Sequence, residues 1–252
     1  MNVTSAIHLA NLCKKCGVKR YLFASSCSVY DSETTKDLNN KVYDESSQIA
    51  PRSVYAKSKL DAETQLLALT DQDFCPVLLR KGTIYGFSPR MRYDLVINKL
   101  LKDALTKRVM TLHNGGETWR PIIEIRDVAN AYLACLQTNT SAVRGKTFNV
   151  VFADFRVSEI ALRIRETIRQ KIGLITDIQC DYTPRQHRSY RVSGKKLEQS
   201  LGFKPNLNIE QSVAFMIDEI KRRNITDFEN PVYDNIRWLE LQEKQTNLTS
   251  QP

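Results

Sequence analysis

The chain has 252 residues, 42% of them hydrophobic, enough for one large domain or two small ones with a real core and too apolar for a disordered polymer. No apolar run approaches the roughly 20 residues that a bilayer-spanning helix needs, and the N-terminus lacks the regions of a secretory signal, so a cytoplasmic protein without membrane contact is expected. The net charge of +9 reads either as a field for anionic ligands such as nucleotide diphosphates or as a nucleic-acid footprint. The basic residues are spread along the chain and no nucleic-acid motif accompanies them, so no nucleic-acid partner is expected.

Val3 to Cys16 reads as a helix with Val3, Ala6, Ile7 and Ala10 on one stripe and Gly17 as its C-cap. Val18 to Ala24 is a buried strand. Residues 31–50 are polar and read as a long loop over a site, closed by Pro51. Ser53 caps the next helix, which runs to about Leu69. Asp73 to Pro76 turns the chain into a strand over Val77 to Arg80. This strand–helix alternation predicts an α/β fold, a parallel sheet with helices on both faces. After Gly86 the pattern changes. A helix is expected over 94–107, a strand over Val109 to Leu112, a turn at Asn114-Gly115-Gly116 and a strand over Pro121 to Ile125 followed by a helix through Leu136. Further helices are expected over Ser158 to Ile172, with Ser158 as N-cap, and over Ile209 to Arg222, with a strand over Thr176 to Asp181. The polar tail from Asn230 is expected to fray.

The six cysteines are scattered, and Cys13-Lys14-Lys15-Cys16 has no second pair or nearby histidine to complete a zinc site. His8, His113 and His187 lie far apart, so no metal centre is expected. The four N-x-S/T sequons at Asn2, Asn139, Asn224 and Asn247 are read as chance matches.

Tyr55 and Lys59 carry the chemistry. Four residues apart, they share one face of a helix. An ammonium beside a phenol favours the phenolate, and a tyrosine tuned that way serves as a general base. Ser26, at the end of a strand, is placed to bind the same substrate oxygen. A surface lysine beside a half-buried tyrosine would show the same spacing, so the surrounding residues decide.

Those residues are Tyr21-Leu22-Phe23-Ala24-Ser25-Ser26-Cys27-Ser28-Val29-Tyr30, Asp44-Glu45, and Pro51 through Lys59. Together they resemble the active-site half of an extended short-chain dehydrogenase/reductase, and within that superfamily the NAD-dependent nucleotide-sugar epimerases and dehydratases. Leu79 to Gly86, Trp119-Arg120-Pro121 through Ala129, Phe148-Asn149-Val150 and Leu201 to Pro205 follow in the family's order. The resemblance covers Asn2 to about residue 220.

The resemblance implies a partial Rossmann-like domain over 1–86, to which later segments return, and a mainly substrate-binding α/β region over 87–252. It implies an NAD cofactor, a nucleoside diphosphate sugar as ligand and a possible homodimer. By resemblance, Tyr55 is the base, Lys59 tunes it and bonds the nicotinamide ribose, and Ser26 completes the catalytic set. Asn2 and Gly82 match cofactor-contacting positions alongside Ser26, Tyr55 and Lys59. Arg120 matches a diphosphate clamp, with Arg188 and Arg191 near Tyr190 reaching the same phosphates. Thr83 and Asn98 match substrate-binding positions, although Thr83 stands where many relatives have Asn and Lys81 replaces a common Pro. Cys27 and Ser28 stand where the sugar dehydratases carry an acidic pair, which favours epimerase or reductase chemistry.

No glycine-rich dinucleotide turn occurs in the sequence, nor an acidic residue following one. The chain therefore reads as an N-terminally truncated member of the family. On that reading Val18 to Ala24 and Val77 to Arg80 are expected to expose apolar surface, and NAD is expected to bind weakly or not at all. A truncated, non-catalytic homologue that keeps a sugar-nucleotide pocket or acts as a binding partner is the alternative.

Overall fold

The computed structural model describes residues 2–31, 41–183 and 188–249. In chain order the elements begin with α1 (Asn2–Lys15), β1 (Arg20–Ser26), β2 (Val42–Tyr43), α2 (Val54–Ala68), β3 (Cys75–Lys81) and β4 (Thr83–Tyr85). They continue with α3 (Val96–Lys107), β5 (Val109–His113), β6 (Trp119–Glu124), α4 (Ile125–Gln137), the single turn α5 (Thr140–Val143), β7 (Thr147–Val150) and β8 (Ala153–Arg156). The last are α6 (Val157–Ile172), β9 (Asp177–Asp181), β10 (Arg191–Val192), α7 (Lys195–Leu201), α8 (Ile209–Arg222) and α9 (Asn235–Thr249). Two compact units result, one of residues 1–84, 118–156 and 186–207, the other of residues 85–117, 157–185 and 208–252.

The first unit is built on a parallel sheet in the order β1-β3-β7, in which Leu22 pairs with Val77 and Leu79 with Phe148. The pleat sends alternate residues to opposite faces. Phe23 and Leu78 pack with Ala10, Ala62 and Leu66 of α1 and α2. Val77, Leu79 and Phe148 pack with Val128, Ala131 and Cys135 of α4 and Leu197 of α7. Each fully buried aliphatic side chain there contributes about 1.5–3 kcal/mol of transfer free energy. This is the expected Rossmann-like layering. The strand β3 is central and buried, contrary to the apolar exposure expected of Val77 to Arg80, because β7 and the helices on both faces cover it. β1 lies at one edge of this sheet, and there the expectation holds in part, with Ala24 exposed and Tyr21 and Leu22 half-buried.

Local signals act as expected in α1 and α2. Gly17 takes φ 76 and closes α1 through Gly17 N–H to Lys14 O and Val18 N–H to Cys13 O. The Ser53 hydroxyl accepts the Ala56 N–H at 3.1 Å, capping α2. Within the expected loop over 31–50, Val42–Tyr43 forms β2, which pairs with β10; residues 32–40 lie outside the described residues.

The second unit has its own parallel pair, β5 with β9, Val109 opposite Asp177 and His113 opposite Asp181. Helix α3 buries Ile97, Leu100, Leu101 and Ala104, and α6 buries Ile160, Ala161, Ile164 and Ile168. Helix α8 opens with a reciprocal capping box between Asn208 and Gln211. Two expectations need correction here. Helix α6 already begins at Val157, so Ser158 lies inside its first turn rather than capping it. The tail does not fray from Asn230: the Asn230 side chain accepts the Val232 N–H, and α9 follows. None of the described helices is long and apolar enough to cross a membrane.

Candidate active site

The site is at the C-terminal ends of β1 and β3, where ligands sit in open α/β sheets. Ser26 ends β1, and its hydroxyl accepts the Ser28 N–H at 3.2 Å, turning the chain into a 3-10 turn over Cys27–Tyr30. Tyr55 stands in the first turn of α2 and is 46% exposed. One helical turn on, the Lys59 ammonium lies 5.7 Å from the Tyr55 ring centroid and 4.9 Å from that of Phe23. It donates to Ala24 O at 3.0 Å, which ties it to β1 two residues before Ser26. Burial pulls the Lys59 pKa below its ordinary value, partly opposed by the nearby Glu63 carboxylate.

Glu63, a further turn along the same stripe of α2, was not singled out from the sequence. It is 2% exposed and paired with Arg80, which is also buried. Arg80 Nη2 lies 2.5 Å from Glu63 Oε2, and Arg80 Nε donates to both carboxylate oxygens at 3.0 and 3.1 Å. The Ser25 hydroxyl donates to Glu63 as well. Arg80 Nη1 donates to the Tyr30 hydroxyl at 2.8 Å, and that hydroxyl donates to Asn149 Oδ1 at 2.8 Å. Asn149 N–H donates to Glu45 at 2.6 Å. Burial raises the Tyr30 pKa, so this phenol stays protonated. The i, i+4, i+8 spacing of Tyr55, Lys59 and Glu63, with an arginine at the end of an apolar strand, was the available signal.

Gly82 is required by packing. Its N–H donates to Val150 O at 3.0 Å, and a Cβ there would stand 2.8 Å from Pro121 O of β6. Thr83 begins β4 and is half-buried. Asn98 lies in the second unit, 4% exposed, where its Oδ1 accepts the Gly86 N–H at 3.3 Å and braces the turn after β4. Asn2 opens α1; its side chain lies outside the described residues.

The arginines gather round one acid. Arg188 Nε lies 3.3 Å from Asp31 Oδ2. Arg120 Nη1 donates to Trp119 O at 2.8 Å and to Arg188 O. Burial pushes the Asp31 pKa up, while Arg188, Arg52 and Arg120 pull it down. Burial lowers the Arg120 pKa, and the Arg188 charge adds to that. Arg52, just before the Ser53 cap, was not singled out from the sequence. Arg191 turns elsewhere, with its guanidinium 5.1 Å from the Trp119 ring centroid. Cys27 is fully buried, its thiol donates to Arg80 O at 3.1 Å, and burial raises its pKa well above the ordinary value.

Known proteins share parts of this sequence and this fold. The chain is 26% identical over 240 residues to the mouse dTDP-D-glucose 4,6-dehydratase, covering 91% of this chain and 63% of that protein. It is 28% identical over 179 residues to the Bacillus subtilis protein named uncharacterized UDP-glucose epimerase YtcB, covering 70% of this chain and 50% of that one. The chain thus spans between half and two thirds of the length of these curated relatives. Among solved structures, RMD from Pseudomonas aeruginosa with NADPH superposes with a TM-score of 0.72 at 22% identity, over 88% of this chain and 74% of that one. MoeE5 with UDP-glucuronic acid and NAD superposes with a TM-score of 0.71 at 25% identity, over 89% and 72%. The sequence profile of the NAD dependent epimerase/dehydratase family matches residues 1–150, which contain β1, α2, β3 and the residues gathered at their ends, and the chain belongs to that family.

Proposed function

We propose that this chain carries the proton-transfer and nucleotide-sugar-binding parts of an NAD-dependent nucleotide-sugar epimerase. The observation that supports this most is the Lys59 ammonium, 5.7 Å from the Tyr55 ring and tied to the strand that ends in Ser26. Tyr55, open to solvent, takes the proton of a sugar hydroxyl. Lys59 faces the Tyr55 ring from the next turn of α2. Ser26 orients the hydroxyl through its own oxygen, and Lys59, anchored at Ala24 O, fixes the base relative to the strand end. These residues, with the Gly82 backbone, would face the nicotinamide half of NAD. Bound there, NAD would supply the hydride chemistry, and the protein would supply orientation and proton transfer. The sequence has no glycine-rich turn for the pyrophosphate, so NAD affinity is expected to be weak in calorimetry.

Arg120, Arg188 and Arg52 suit the diphosphate of a nucleoside diphosphate sugar. Their charges already converge on Asp31, and guanidinium forks match phosphate oxygens. Calorimetry with UDP-glucose tests this part: Arg120→Ala should weaken binding by about 1.5–3 kcal/mol. Equal affinity for both proteins would remove the assignment.

Epimerisation is favoured over dehydration by positions 27 and 28. A buried thiol with a raised pKa and a buried serine offer no acid/base pair for eliminating water. This holds although the mouse relative is named a dehydratase. With NAD at millimolar concentration, proton NMR of UDP-glucose should show an epimer and no 4-keto-6-deoxy product. The dehydrated product would overturn the epimerase reading.

A further inference from the structure

Lys81 ends β3 and has no part in the site as read so far. The parallel register places it directly beside Ser26. It lies on the same pleat face as Cys75, Val77 and Leu79, the face that packs against α4. Its ammonium donates to the Tyr132 hydroxyl of α4 at 3.4 Å and lies 5.8 Å from that ring's centroid. Among the described residues, no carboxylate comes within ion-pair distance of it. The nearby charge is of the same sign: Lys59, from α2. The remaining titratable neighbours are the buried Cys27 thiol, which follows Ser26, and the Tyr132 phenol.

An ammonium that is half-buried, without a counter-ion and beside a second ammonium is destabilised relative to the neutral amine. A neutral lysine amine is a nucleophile, and both desolvation and a neighbouring cation activate it. We propose that Lys81 is a nucleophilic amine that condenses with aldehydes or ketones at the C-terminal edge of the sheet. The nitrogen lone pair attacks the carbonyl carbon, and the C=O π pair moves to oxygen, which takes a proton. The carbinolamine then loses that oxygen as water, with protons from the amine, and a C=N bond remains. No oxidation state changes, so no co-reactant is required. Burial holds the Tyr132 phenol protonated, its pKa pushed up to about 12, and at 3.4 Å it is the proton source beside the reacting nitrogen. Burial, with Lys59 adding to it, brings the Lys81 pKa down to about 8. The proposal does not depend on the nucleotide-sugar reading.

The test is a labelling race on the whole chain. Limiting formaldehyde with sodium cyanoborohydride, which reduces the imine to a stable amine, is applied from pH 6 to 10. Peptide mass spectrometry then compares Lys81 with the exposed Lys195. At pH 7, Lys81 should take label at least about tenfold faster, because an ordinary lysine has a pKa of about 10.4. Its labelling should reach half its plateau near pH 8, and Lys59→Met should move that midpoint to higher pH. Lys81→Met should remove the fast-labelled peptide. Labelling of Lys81 no faster than Lys195, or a midpoint unmoved in folded Lys59→Met, overturns the proposal. If Lys59→Met does not fold, the race in the unsubstituted protein decides alone.

Discussion

The two ends of one stripe on α2 are held in opposite ways. At its start, Tyr55 is half exposed, and Lys59 bonds a backbone carbonyl, lies against two ring faces and, among the described residues, makes no ion pair. Two turns on, Glu63 is sealed in the sheet with Arg80 and Ser25, and the network runs on through Tyr30 to Asn149. The same helix thus carries groups that keep bonding capacity open and groups that have spent it. A buried charge with every partner in place holds a structure, and an incompletely satisfied charge at a strand end is available for chemistry.

Breaking the buried end should have the largest effect on folding. Glu63→Ala leaves the Arg80 guanidinium buried without its carboxylate, and urea unfolding should show a loss of about 3–5 kcal/mol. A loss below about 1 kcal/mol would mean that water or a rearranged partner already serves Arg80. Tyr30→Phe takes one hydroxyl from both Arg80 and Asn149, with an expected loss of about 1–3 kcal/mol. Gly82→Ala pushes a methyl against Pro121 O and should cost about 1–3 kcal/mol, read as a lowered Tm. At the open end the sign of the contrast reverses. Tyr55→Phe should change stability by no more than about 0.5 kcal/mol, because the residue is half exposed and the change removes one oxygen. If Tyr55→Phe were as destabilising as Glu63→Ala, the division of α2 into a structural end and a chemical end would fail.

Much of this was legible in the sequence. The alternation of strands and helices gave the parallel sheet, and Gly17 and Ser53 marked helix ends where their backbone chemistry requires. The Tyr55–Lys59 pair and Ser26 were visible because helical spacing and a strand end put them forward and the surrounding motifs, by resemblance, picked them out. Arg52 was not, since a single charged residue before a cap carries no mark of its partners, and Glu63 shows in sequence only as the next step of the Tyr55–Lys59 stripe, with no mark of its burial. The burial of β3 was misjudged for a related reason. Which strand becomes central depends on β7, which returns more than 60 residues after β3 ends, and strand order is not written in local periodicity. The close approach of Gly82 to the backbone of Pro121 was not legible either, because no spacing rule reveals it.

The central claim is that the open end of α2 performs proton transfer. It is tested most directly by proton NMR of UDP-glucose with NAD at millimolar concentration, comparing the unsubstituted chain with Tyr55→Phe. Epimer formation by the unsubstituted chain, slowed by at least about 100-fold in a folded Tyr55→Phe protein, is the expected result. Undiminished turnover in Tyr55→Phe, or no epimer from the unsubstituted chain while it binds both NAD and UDP-glucose, would contradict it.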